Sequence, residues 1–282
     1  MILFEISTAG FILAGMTANR VCISRIFTIL RVDIVDAIES VADLVDLQRW
    51  LKAVCNVKNH LFFSIAYSIL GSSVSLVLFA VTKGGFVGFG PTILLVIVHF
   101  QGGMLGYYVF AFLAAPIRLS RYQYKLYSSD PSSSEVIARL SSMLSSFLYF
   151  AAVLVAVATL IVASFGLMTS VITVLLVLAM WGFLAALFIT NQIALGKIIV
   201  TGKWKTLNKV QAAIDKLKAE QSIVDKETME AINRLMDYHD RVRATRSSAL
   251  DLRAGLNFLN SLLLPLVAFL LANLEKLLEF LK

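Results

Sequence analysis

Five carboxylates near the start of the chain, Asp33, Asp36, Glu39, Asp43 and Asp46, are spaced by three, three, four and three residues. On a single helix that spacing lays all five along one face. Val35, Ile38, Val45 and Leu47 between them supply an apolar face, and no basic residue lies between Arg31 and Arg49. Neighbouring carboxylates on such a face repel one another by a few tenths of a kcal/mol per pair (~0.2–0.5). The chemistry such a stripe offers is cation attraction: lining the vestibule of a ring-shaped oligomer, it raises the local cation concentration. The plainer reading is the solvated face of an amphipathic helix.

A second group is His99 with Gln101, inside an apolar run from Pro91 to Ala115. An ionisable side chain at membrane depth is a functional candidate by default, able to sense pH or to line a polar path. Its plain alternative is a neutral imidazole hydrogen-bonded to a neighbouring helix. No carboxylate falls at that depth to pair with it. Arg118, Arg121 and Lys125, interleaved with Tyr122, Tyr124 and Tyr127, form a third group. At a bilayer boundary this mixture suits a lipid headgroup.

Chemistry of other kinds has no carrier in the sequence. There is no nucleophile elbow, His-Glu-x-x-His or phosphate-binding glycine loop, so an enzyme is not expected. The glycine-rich GGFVGFG at 84–90 follows no strand and precedes no Lys-Ser/Thr pair, and reads as a hairpin turn. Cys22 and Cys55 are the two cysteines. Neither belongs to a Cys-x-x-Cys or Cys/His ligand spacing, so neither a metal nor a cofactor is expected.

The elements that must position these groups follow from composition. Hydrophobic residues make up 59% of the chain and charged ones 15%, against roughly 45–50% and 25% for soluble domains. A soluble core cannot hide that much apolar surface, whereas a bilayer accepts it. Four runs reach the spanning length: about Leu61–Val81, Pro91–Ala115, Met143–Phe165 and Val171–Ile193. The net charge of +7 gathers beside these runs, so anionic lipid rather than nucleic acid is the expected partner. Gly102 with Gly106, and Gly182 with Ala186, are small-residue pairs of the kind that bring membrane helices together.

Lys83 is the one basic residue in the turn after the first span, and the turn near Gly166 has none. Arg118, Arg121, Lys125, Arg139 and twelve basic residues from Lys197 to Arg253 lie on the opposite side. The positive-inside rule makes that side cytoplasmic. The fold expected is all-α: a polytopic helical membrane protein with four core transmembrane helices in two hairpins. Residues 1–60 form N-terminal interfacial and amphipathic cytoplasmic helices, 61–115 the first hairpin, and 116–142 cytoplasmic linker helices. Residues 143–193 form the second hairpin and 194–253 a cytoplasmic helical hairpin. Residues 254–282 form a C-terminal membrane-associated helix.

Within these, 1–18 is apolar but lacks a basic leader and is interrupted by Glu5, so it reads as an interfacial helix rather than a signal peptide, with a full span as the alternative. The stretch 256–272, holding Asn257, Asn260 and Pro265, either spans or packs on the bundle. Asp130-Pro131 marks a turn, and the serines 132–134 before Glu135 mark a helix start that continues into the third span. In the 194–253 hairpin, Leu207, Val210, Ile214 and Leu217 form one helical face; the second helix carries Met229, Ile232, Met236 and Val242, and the pair packs on itself or on a neighbouring subunit. Ser222 and Asp225 mark the break between these helices. The function this pattern suggests first is an oligomeric channel or pore, cation-preferring through the acidic helix and gated through the cytoplasmic helices. The alternative is a non-catalytic structural or accessory subunit of a larger membrane complex. The partners are the bilayer and either further copies or other membrane subunits.

Overall fold

A computed structural model describes residues 34–83, 88–164, 171–220 and 225–247, together with Leu13, Gly15, Met16, Thr17, Arg20, Val21 and Ser24. Asp33, most of 1–18, the turn at 84–87, the connection near Gly166, Ser222 and the apolar stretch 256–272 lie outside the described residues. No β-strand occurs among the described residues, whose regular structure is helical. Among the described residues, α-helices with defined bounds follow one another as α1 Val41–Val54, α2 Val57–Lys83, α3 Phe89–Leu119, α4 Glu135–Ser164, α5 Val171–Glu220 and α6 Lys226–Ala244.

Four of them, α2 to α5, are long and apolar enough to cross a membrane, over Val57–Val77, Leu95–Leu119, Glu135–Val153 and Val177–Ala219. In a bilayer core with no water to bond backbone groups, a helix satisfies them internally. The chain is thus a multi-pass membrane protein by length and composition. It divides into two compact units, 1–115 and 116–282.

In the first unit, Ser40 caps α1 by accepting from the Asp43 backbone N–H at 3.4 Å. Asn56 opens α2 in the same way, its side-chain oxygen accepting from the Lys58 N–H at 3.0 Å. Two cap-forming residues with only fifteen between them are why α1 is a short helix set directly before a spanning one.

In the second unit, α4 runs for 30 residues from Glu135. The hydroxyl of Ser134, the residue expected to cap it, instead accepts from the Tyr127 N–H at 2.7 Å. It thereby ties the preceding connection to the helix start. α5 is one unbroken helix of 50 residues, about 75 Å at ~1.5 Å per residue. Its apolar half packs on α4, with Leu140, Leu144, Phe147, Leu184, Leu187 and Leu195 buried. Its charged half packs on α6 through Val210, Ile214 and Ile232, with Leu217, Leu235 and Tyr238 alongside.

The α6 face matches expectation at Ile232 and Val242 and differs at the two methionines. Thr228, Ile232 and Val242 are buried, whereas Met229 and Met236 are exposed. Asp225 starts the helix, its carboxylate accepting from the Thr228 N–H at 3.4 Å and the Thr228 hydroxyl at 3.0 Å. This turns Thr228 inward and sets the register as 228, 232, 235, 238 and 242. The methionines fall one position off that face.

Candidate functional site

The four described acidic residues do not share a helix face. Val35–Ala37 form a single 3-10 turn, Ile38 and Ser40 are extended, and α1 begins only at Val41. Asp36 and Glu39 therefore precede the helix, while Asp43 and Asp46 lie on it. The cause is local: a serine with a strong capping preference stands in the middle of the run. The β-branched residues Ile34, Val35 and Ile38 before it favour helix weakly. Asp43 gains from its place in the first turn, where a carboxylate meets the positive end of the helix dipole. None of the four described carboxylates is free of interactions. Just past α1, burial pushes the Cys55 thiol pKa up, which keeps it in the unreactive protonated form.

His99 sits in a polar seam between α2 and α3. Its Nδ1 lies 2.8 Å from the Leu95 carbonyl oxygen and its Nε2 lies 3.2 Å from the Ser75 hydroxyl. A carbonyl only accepts, so Nδ1 carries the hydrogen. In the neutral ring Nε2 then accepts from Ser75. Both ring nitrogens are thereby satisfied by α2 and α3. Ser68 adds a bond to the Val96 carbonyl at 2.9 Å. Together with His60 against Tyr107 and Tyr108, and Phe63 against Phe110, these contacts run α2 and α3 antiparallel.

Glycine lets them approach. A Cβ on Gly103 would stand 2.9 Å from the Ser64 Cα, and one on Gly71 would land on the His99 ring. Gly102 and Gly106, the expected pair, have looser surroundings, and a Cβ on Gly182 would meet nothing within 4 Å among the described residues. Gln101 is buried and lies against Gly15.

The third group is split by backbone geometry. Residues 121–125 follow the end of α3 with alternating burial: Tyr122 and Tyr124 are buried, and Arg121, Gln123 and Lys125 are exposed. This alternation is what an extended segment produces. The Tyr124 hydroxyl donates to the Leu119 carbonyl at 3.0 Å, and Arg118 Nε donates to the Tyr122 hydroxyl at 3.3 Å. The two rings help enclose a cavity of about 500 Å³, whose opposite wall is α5 at Ile198, Thr201, Trp204, Lys205 and Asn208.

Several features hold the cavity's walls. Asp130 accepts from the Ser132 N–H at 3.0 Å and the Ser132 hydroxyl at 2.6 Å. The Ser132 hydroxyl bond is the chief cause that keeps the Asp130 carboxyl below its usual range. Gly202 admits the connecting segment: a Cβ there would come 2.5 Å from Leu126 Cδ1. Lys203, almost fully buried, donates from Nζ to the Thr245 carbonyl at 2.8 Å. That bond fastens the end of α6 to α5.

Arg118, Arg121 and Lys125 do not line this cavity; Lys205, Trp204 and Asn208 do. Those three were legible only as part of a basic helix, because nothing in the sequence says which turn of α5 lies opposite the tyrosines.

No family model, no curated protein and no solved structure matches this chain. Its class is defined by its own helices: a polytopic α-helical membrane protein, four of whose helices are able to span.

Proposed function

We propose that the protein is a non-catalytic structural or accessory subunit of a membrane complex. Its spans anchor it, and the α5–α6 hairpin, on the cytoplasmic side by the positive-inside rule, is its docking arm. The observation that carries this reading is the continuity of α5. One 50-residue helix joins an apolar span to a charged hairpin that has its own small core, so whatever docks on the hairpin is held at a fixed distance from the bilayer.

Two further features support it. Ser68, Ser75 and Asn191 bond across to a neighbouring helix, as in spans built for packing. On the arm, Met229 and Met236 are exposed on an otherwise charged helix. Methionine side chains adapt readily to a partner surface.

The test is photo-crosslinking from a photoreactive residue at position 236 in native membranes, with Met229→Glu added to the same chain as the control. The expected result is a discrete adduct with an unlike chain that Met229→Glu abolishes. Adducts only between copies of this chain would instead favour the second reading, a homo-oligomeric, cation-preferring pore gated through the hairpin. The rigid α5 also supports that reading, since it would carry motion of α6 into the span. Planar-bilayer recording of the purified protein separates the two: discrete cation-selective currents belong to the pore alone.

A further inference from the structure

We propose that the cavity between residues 122–126 and 198–208 is a binding site for the phosphate-bearing headgroup of an anionic phospholipid. Its lining supplies hydrogen-bond donors without a carboxylate. Lys205 brings an ammonium, Trp204 an indole N–H, Thr201 a hydroxyl, and Gln123 and Asn208 amides.

The surrounding charge is mainly basic, with Asp130 and Asp215 just beyond it. Arg118, Arg121 and Lys125 fall in 118–129, and Lys197, Lys203, Lys205 and Lys209 in 197–214, with no Asp or Glu in either stretch. Arg118, held on the Tyr122 hydroxyl, adds its charge behind the ring that lines the site. A cavity of about 500 Å³ is within the ~300–1,000 Å³ of small-molecule sites. Leu126, Ile198 and Val200 on its wall suit a glycerol backbone and the first methylenes.

Depth selects a lipid rather than a soluble phosphate. From Val171 to Gly196 α5 carries no charged residue. That length, about 39 Å at ~1.5 Å per residue, exceeds a hydrocarbon core of ~30 Å. The turns from Ile198 to Asn208 therefore emerge in the headgroup layer. Trp204, 60% exposed, stands where tryptophan concentrates in membrane proteins.

The experiment is native mass spectrometry of the full-length protein extracted from vesicles of phosphatidylcholine with phosphatidylglycerol. Wild type is compared with Lys205→Gln, Asn208→Ala and Lys209→Gln; Lys209 is an exposed cation of the same helix outside the lining. Circular dichroism checks that each variant is helical. Wild type is expected to retain phosphatidylglycerol in preference to phosphatidylcholine. Lys205→Gln should lower that retention about tenfold, as loss of one charge-assisted hydrogen bond implies. Asn208→Ala should lower it less, and Lys209→Gln by less than about twofold, since Lys209 lies outside the lining and makes at most a weak surface contact.

Equal retention of the two lipids, or equal effects of Lys205→Gln and Lys209→Gln in folded protein, would overturn the proposal. Millimolar inorganic phosphate is added in a separate arm. Failure to displace the lipid supports a lipid site, and full displacement would assign the cavity to a soluble phosphate compound instead.

Discussion

Replacing Gly103 by alanine tests whether the α2–α3 seam is held at the separation described above. The new Cβ would lie 2.9 Å from the Ser64 Cα, 3.0 Å from the Tyr67 Cβ and 3.1 Å from the Ser64 carbonyl oxygen. Two of these atoms are backbone and the third is a Cβ, so no side chain can rotate out of the way. Restoring an ordinary carbon–carbon distance of about 3.5 Å requires the helices to part by roughly 0.6 Å. The Ser68–Val96 bond, 2.9 Å in the native packing, would then stretch to about 3.5 Å, the edge of hydrogen-bonding distance.

Overpacking of this kind costs about 1–3 kcal/mol, and the weakened bond a further ~0.5–1.5 kcal/mol. The helix-propensity gain of Gly→Ala offsets ~1 kcal/mol. The net expectation is a loss of about 0.5–3.5 kcal/mol. Gly182→Ala is the matched control, because a Cβ there meets nothing within 4 Å among the described residues. It should be neutral or stabilising by up to ~1 kcal/mol. Unfolding is followed by circular dichroism as the mole fraction of sodium dodecyl sulfate rises in mixed micelles. If Gly103→Ala unfolds at the same or a higher detergent fraction than wild type, the close approach is not real.

Lys203→Met keeps the buried stem but removes the donor to the Thr245 carbonyl. A charge-assisted bond of this type is worth ~1.5–3 kcal/mol, so amide exchange at the end of α6 should accelerate while the α4–α5 core is unchanged. Asp130→Ala removes the acceptor that caps the 131–133 turn, at a cost of about 1 kcal/mol, and should speed exchange of the Ser132 amide. The same site gives a pH dependence. Its carboxyl is depressed in the folded protein, chiefly by the Ser132 hydroxyl bond, so its stabilisation is complete above the unfolded value near ~3.9. That stabilisation is lost as pH falls through the lower folded value. Ser132 protection in wild type should drop across that window, and Asp130→Ala should show no such step.

Spacing read along one helix was sound where the helix had a long apolar run to commit it. The four spans, and the face of α5 carrying Leu207, Val210 and Ile214, were legible because period and composition agreed over many turns. The acidic stripe failed because periodicity was read through Ser40, whose capping bond competes with helix at that point. The methionines of α6 fell one position off its buried face because Asp225 and Thr228 set the helix start, and they looked like core residues on hydropathy alone. His99 was legible as a polar residue within an apolar run. Its partners, Ser75 and the Leu95 carbonyl, were not, since the antiparallel register of α2 on α3 was unknown.

Composition and apolar run length by themselves determined that this chain is helical and able to cross a membrane several times, because a bilayer offers the backbone few other solutions. The tertiary structure alone decided which small residues form the contact, Gly71 and Gly103 rather than Gly102 and Gly106, and that Lys205 and Asn208 face Tyr122 and Tyr124 across one cavity. Those outcomes depend on how two segments distant in sequence are rotated and offset against each other. A helical repeat fixes the face of each segment but not the register between them.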